Sequence, residues 1–262
     1  MQPVIYKLGN NNFSVDISNN RIDFLDTRFY ITESGQYVPS VTTILTAYPK
    51  SAAFYEWLKK VGEDADTIRD EAGMRGSTVH KLTEAYDEGQ EVRLIDDSGY
   101  IAYKLAEWNM FEKYVEFRRR FPLDIIHTEL HLSSDHLGFA GTLDRVVRFR
   151  DRNLILDIKT ANNLHEHYWL QLAAYEKLLA EKQPELPIDG YAILWLNAQT
   201  RTDGKGDAVQ GKGWQLVERK AEDKVNDWPR FEATKTLWLA ENNAMKPRQT
   251  TYQLSHQLNK VS

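Results

Sequence analysis

The sequence predicts a mixed α/β (α+β) fold: a central β-sheet flanked by helices, with an N-terminal strand and helical extension in front of it. Three observations carry that expectation. Gly141 to Phe149 and Leu154 to Thr160 read as two strands joined by the turn Arg150-Asp151-Arg152-Asn153. Apolar residues recur at helical spacing on both sides of this pair, over about 63–86 and 100–121 before it and 166–181 after it. Two more strand-like runs, Tyr191 to Leu196 and Trp214 to Glu218, follow, and a helical stretch from about Glu222 to Glu241 comes after them.

At 262 residues the chain can bury a sizeable core, as one large domain or two small ones. Hydrophobic residues at 42% and charged residues at 27% describe an ordinary globular composition. A net charge of -5 gives no overall pull toward nucleic acid, although a basic groove can coexist with an acidic surface. The absence of cysteine excludes disulfides, iron–sulfur ligation and thiolate zinc sites. No apolar run approaches the roughly 20 residues needed to cross a bilayer, and the first residues form neither a basic leader nor an apolar signal core. The expectation is an intracellular protein with no membrane partner.

Residues 3–38 hold short strand-like runs between the turn signals Gly9-Asn10-Asn11-Asn12, Ser18-Asn19-Asn20 and Ser34-Gly35, which predicts a small sheet or covering arm. Ser40 is placed to cap a short helix that Pro49 interrupts, and Ser51 to Leu58 resumes it. In the helical region from about Glu63 to Tyr86, Gly73 and Gly76 predict a break, with a new start near Ser77 or Thr78 and Val79, Leu82 and Tyr86 facing inward. His80 and Glu84 then share one face. Tyr100 to Phe121 carries Leu105, Trp108, Phe111, Tyr114, Val115 and Phe117 as a core stripe, and Arg118-Arg119-Arg120 suit its C-terminal dipole. Asp124 to Leu132 reads as a strand with His127, Glu129 and His131 on one face. That face resembles a zinc set, but alternate strand residues lie too far apart to grip one ion, which favours Glu129 as a site carboxylate between solvated histidines. On the helix from Glu166 to Glu181, Gln171 and Tyr175 share a face while Trp169, Leu172, Ala173, Leu178 and Leu179 pack inward. Thr200 to Gly213 reads as a flexible polar loop, Pro229 as a kink or boundary in the last helix, and residues 244–262 as a polar tail.

The chemistry-bearing residues converge on the central pair of strands. Ile155, Asp157 and Lys159 share one face, which puts a carboxylate and an ammonium side by side at the end of an apolar strand. Asp144 on the partner strand can come close to Asp157, and two carboxylates at short range repel unless a cation lies between them. Oxygen ligands of this type suit Mg²⁺ or Mn²⁺. Acid-x-Lys alone is a weak signal: Asp203-Gly204-Lys205 and Glu222-Asp223-Lys224 repeat it in solvated settings. Taken without its surroundings, the pair serves equally as a structural ion pair or a metal site.

Arg75-Gly76-x-x-x-His80, Glu129, Gly141-Thr142-Leu143-Asp144, Asp157-Ile158-Lys159-Thr160 and Gln171-x-x-x-Tyr175 occur in an order that resembles the PD-(D/E)xK nuclease superfamily, and within it the RecB-type branch. Pro39-Ser40-Val41-Thr42-Thr43-Ile44-Leu45 is similar to the relatives that include the mitochondrial genome-maintenance exonuclease and many phage proteins. The likeness spans roughly residues 37 to 220. It departs from the family at Leu143, which replaces the proline of the family's Pro-Asp pair and leaves the aspartate in place, and in lacking the cysteines that hold an iron–sulfur cluster in some relatives.

The resemblance implies a restriction-endonuclease-like sheet and a single nuclease domain. Its parts would be an N-terminal β arm (1–38), a helical block (39–122), a catalytic core (123–220), a C-terminal helix (221–243) and a tail (244–262). It implies that Asp144 and Asp157 bind Mg²⁺ or Mn²⁺, with His80 and the backbone carbonyl of Ile158 as further ligands and no iron–sulfur cluster. Lys159 would orient or activate the attacking water, Glu129 would bind a second metal or hold Lys159, and Gln171 and Tyr175 would position phosphate or the lysine. Arg75 and Thr160 are implied substrate contacts. The implied activity is metal-dependent hydrolysis of DNA phosphodiesters, as an exonuclease on ends or single strands in recombination, repair or phage DNA processing. Its setting would be the cytoplasm of a bacterial or phage-infected cell, with room for a DNA-processing protein partner. The alternative is a catalytically silent DNA-binding or assembly protein that keeps the fold.

Overall fold

The computed structural model describes residues 4–8, 11–16, 21–24 and 27–242. Five strands open the chain: β1 (Val4–Leu8), β2 (Asn11–Asp16), β3 (Arg21–Phe24), β4 (Thr27–Ile31) and β5 (Tyr37–Pro39). They form an antiparallel meander in sequence order, the small sheet expected of this region. The polar tail expected over 244–262 lies outside the described residues.

Ser40 caps α1 (Val41–Ile44), its hydroxyl accepting from the Thr43 N–H at 2.9 Å. A 3₁₀ turn over Leu45–Ala47 follows, and Ser51 caps α2 (Ala52–Val61), which buries none of its residues. Helix α3 (Ala65–Asp87) runs unbroken for 23 residues through Gly73 and Gly76, so the expected break and restart near Ser77 do not exist. Intrinsic propensity yields here to tertiary context: α3 crosses over the end of the central strand, where a Cβ on Gly76 would make ordinary contact with the Thr160 hydroxyl at 3.4 Å. Helix α4 (Leu105–Arg120) begins later than expected and leaves Leu105 exposed. Phe111, Tyr114 and Phe117 are buried, as their spacing predicts.

The central sheet comprises β6 (Asp124–Ser134), β7 (Phe139–Phe149), β8 (Arg152–Lys159), β9 (Gly190–Trp195), β10 (Gln210–Gly211) and β11 (Trp214–Glu218), in the order β10-β11-β9-β8-β7-β6. Only β8 and β9 among its neighbouring pairs run parallel, joined across α5 (His167–Lys182). The expected loop over 200–213 thus contains a short edge strand, β10. Helix α6 (Ala221–Glu241) accommodates Pro229 without ending. The turn that loses the proline's N–H carries the exposed Val225, where water can satisfy the freed carbonyl.

Alternation along β8 divides the core. Leu154, Leu156 and Ile158 pack with Val79, Met110, Tyr114 and Phe117 of α3 and α4, while Ile155 packs with α5 and α6. This is a mixed α/β architecture with a six-stranded sheet between helical layers, consistent with a restriction-endonuclease-like fold. Among the described residues no helix is long and apolar enough to cross a membrane.

Candidate metal centre and active site

Strands β7 and β8 pair from Phe149↔Arg152 to Arg145↔Leu156 and then part. Past that fork the N–H of Ile158 has lost its strand partner, and the carboxylate of Asp144 accepts from it at 2.9 Å. Asp157 and Lys159 follow at the C-terminal end of β8, between α3 on one side and α5 on the other.

From α3, His80 reaches across so that Nε2 donates to the Ile158 carbonyl at 2.9 Å, which leaves Nδ1 facing Asp144 Oδ2 at 3.5 Å and Glu129 Oε1 at 3.9 Å. One ligand atom from each of His80, Glu129 and Asp144 lies within 4.8 Å of the others. Glu129 comes from β6 and adopts φ +46°, a left-handed conformation unusual for a residue with a side chain. A bulge between Ile125 and His127 shifts the register just before it. The two flanking histidines do not join this group: the half-buried His127 bonds Gln183 at 2.8 Å, while His131 bonds Thr142 at 2.7 Å and stays exposed as expected.

Burial alone would lower the pKa of His80, but Asp144 and then Glu129 more than reverse it, to about 9. The proton on His80 therefore stands where a cation between two carboxylates belongs. One imidazole and two carboxylates fit a small divalent cation of the Mg²⁺ or Mn²⁺ type, with the imidazole favouring Mn²⁺. A metal-bound histidine ordinarily gives its other N–H to a carbonyl or carboxylate, the role that the Ile158 carbonyl fills here. That carbonyl, expected as a direct ligand, is thus engaged by His80.

Asp157, also expected as a ligand, is engaged by Lys159 and Gln171. Its Oδ2 lies 2.7 Å from the Lys159 ammonium, in a geometry that leaves this buried oxygen without an aligned hydrogen bond. Burial pushes Asp157 up to about 6, with Lys159 opposing and Asp144 adding to the rise. Lys159 loses charge preference to burial and regains more from Asp157 and Asp144, so it stays an ammonium. Gln171 ties the pair to α5, accepting from Lys159 Nζ at 3.4 Å and donating to Asp157 at 3.4 Å and to the Tyr175 hydroxyl at 3.1 Å. Tyr175, held neutral by burial, packs so near Gly141 that a Cβ there would be 2.5 Å from its ring. Glycine at 141 is therefore required for α5 to approach. Arg75 keeps a buried Nε without a partner, while Thr160 is buried against Gly76 rather than open to a ligand.

Two participants escaped the sequence reading. Arg145 is fully buried behind the ligands, its Nε donating to Asp87 at 2.9 Å and its Nη1 to the Asp144 carbonyl at 2.7 Å and Glu129 at 3.4 Å. A charge inside the apolar run Leu143-Asp144-Arg145-Val146-Val147 was the available signal. Tyr168 presents its ring 4.6 Å from Lys159 Nζ, and nothing in the local sequence marks it.

The family model of the PD-(D/E)XK nuclease superfamily matches residues 50–249. The chain belongs to the PD-(D/E)XK nuclease superfamily. No curated protein matches it significantly by sequence. Of solved structures, a candidate exonuclease from Eubacterium rectale is 10% identical, with 72% of this chain and 77% of that one covered at a TM-score of 0.39. The protein SSO0001 is 13% identical, with 67% and 89% covered at a TM-score of 0.26.

PD-(D/E)XK nucleases use divalent metals, and the donor set described above agrees with that chemistry. Mn²⁺ at about 100 times its Kd is expected to stabilise the native protein by roughly 2.7 kcal/mol. Thermal unfolding with and without Mn²⁺ checks this: the rise should vanish in His80→Ala, and an equal rise in that variant would remove His80 from the ligand set.

Proposed function

We propose that this nuclease is a Mg²⁺- or Mn²⁺-dependent deoxyribonuclease of the RecB-type branch that degrades DNA from its ends or along single strands, in recombination, repair or phage DNA processing. The observation that supports it most is the junction of the His80, Glu129 and Asp144 group with the Asp157 and Lys159 pair at one end of β8. His80, Glu129 and Asp144 would hold the cation, with Asp157 beside it. When bound, the cation supplies an activated water and relieves charge on the phosphate. Lys159, kept protonated, has only hydrogens to offer, so it orients water or a phosphate oxygen rather than removing a proton. Gln171 holds Lys159 and Asp157 at their spacing, and Tyr175 holds Gln171. Arg75 would contact a phosphate through its guanidinium, whose buried Nε has no hydrogen-bond partner among the described residues. Residues 1–262 serve this activity as one unit, in the cytoplasm and alone or beside a DNA-processing partner.

End-labelled single- and double-stranded DNA, linear and circular, incubated with Mg²⁺, Mn²⁺ or EDTA tests the reading. Loss of linear DNA with either metal, none with EDTA, and survival of circles are expected. Cutting of circles would make the enzyme an endonuclease, and metal-independent binding without cutting would favour a silent DNA-binding protein.

A further inference from the structure

Beside Lys159 a second feature opens that shares Lys159 and Gln171 with the catalytic end of β8 and otherwise lies outside the metal group. It is a cavity of about 260 Å³ between the segment following α1 and the start of α5, with Thr42, Thr46, Lys50, Lys159, His167 and Tyr168 in its wall. No lining residue is a carboxylate. Thr42, Thr46 and Lys50 lie at its exposed side, and Lys159 joins it to the catalytic end of β8. The volume lies below the ~300 Å³ at which small-molecule pockets begin, so it suits one phosphate and part of its sugar.

The aromatic wall is continuous. His165 and His167 stack with centroids 5.4 Å apart and planes at 11°, His167 meets Tyr168 edge-on at 4.6 Å, and Tyr168 faces the Lys159 ammonium. Such a surface accepts the flat faces and edges of sugars and bases whatever their identity. Burial first, then the positive charge of Lys50, then His165 and Lys159, hold His167 down to about 4, and burial and Lys50 lower His165 as well. Lys159 already has Asp157, so among the described residues the charge these histidines feel without a counter-ion is that of Lys50. An anion is what the wall lacks.

We propose that this cavity is a phosphate subsite, in which Lys50, Thr46 and the neutral His167 take a phosphate of the nucleic-acid strand next to the one undergoing cleavage. The inference rests on the nuclease reading and extends it to a substrate contact outside the family motifs. Its position sets where the strand continues from the scissile bond: past Lys159 toward α1, along the side of the sheet occupied by α5. The phosphate is either an internal phosphodiester or a terminal monophosphate, since both present the same oxygens to the same donors.

Steady-state cleavage and anisotropy binding of a labelled oligonucleotide by the native protein, Lys50→Gln and His167→Ala provide the test, with binding repeated in EDTA. Lys50→Gln is expected to raise KM and the dissociation constant about tenfold, the loss of one charge-assisted contact, and to reduce the slope of log affinity against log salt by about one. The kcat at saturation and the Mn²⁺-induced thermal shift should stay at native values, which a merely structural role for Lys50 would not produce together. His167→Ala should raise KM without changing the salt slope. Substrates with a 5′-phosphate, a 3′-phosphate or hydroxyls at both ends separate the sources: an equal loss on all three assigns an internal phosphodiester, and a loss confined to one assigns that terminus. If the native protein cuts while Lys50→Gln matches it in KM and salt slope, the subsite is overturned and the nuclease stands. If the native protein neither binds nor cuts, both fall.

Discussion

Asp144→Ala and Lys159→Ala are each expected to reduce DNA cleavage by at least about 10²- to 10³-fold, for different reasons that one set of measurements separates. Asp144 faces His80 and Glu129, so its loss should abolish the Mn²⁺-induced thermal shift together with cleavage. It also caps the Ile158 N–H, and removing it leaves a buried donor unpaired at a cost of about 1–3 kcal/mol. Lys159 lies outside the ligand group, bonded to Asp157 and Gln171. Lys159→Ala should therefore keep the metal-induced shift and lose kcat. Retention of native kcat by Lys159→Ala would sink the role given to the ammonium, and retention of the metal shift by Asp144→Ala would remove that residue from the metal.

The largest effect on stability is expected at Arg145. Its guanidinium is wholly buried, and Asp87, to which it donates, also accepts from the Tyr114 hydroxyl and faces Arg118 Nε at 3.6 Å. Burial would lower the Arg145 pKa, but Tyr114, Asp87 and Asp144 reverse that. Arg145→Met strands the carboxylate of Asp87 in the interior, a change that costs about 3–5 kcal/mol and on the order of 10 °C in Tm for a chain of this size. Urea and thermal unfolding of Arg145→Met and of the double variant with Asp87→Leu form the check. The double variant should recover part of the loss, because the pair is costly to break and far less costly to replace whole. A single variant as stable as the native chain would mean that Arg145 is dispensable to the fold.

These two experiments touch residues of unequal legibility. Period-two alternation was enough to place Asp157 and Lys159 on one face and Leu154, Leu156 and Ile158 on the other, because a strand end in an apolar run has few alternatives. Ser40 was readable as a cap, since a side-chain oxygen one residue before a helix has one local job. The sorting of carboxylates was not readable. Which acids meet His80 depends on the fork between β7 and β8, the bulge before His127 and the positive φ of Glu129, all of which arise from pairing between distant segments. The unbroken course of α3 was hidden for a similar reason: glycine weakens an isolated helix, and whether tertiary packing overrides that weakness is not written in the local sequence. Lys50 sits on the connection before α2 and His167 opens α5, and no spacing rule links them.

Gly141 has a meaning beyond steric allowance. A hydrogen atom there sets how far α5 may descend onto β7, and Tyr175 and Gln171 transmit that depth to Lys159. The position of the ammonium is thus calibrated by the smallest side chain in the protein. Tuning this enzyme by substitution at its charged residues would leave that ruler untouched, whereas adding one methyl group at 141 would move every reading on it.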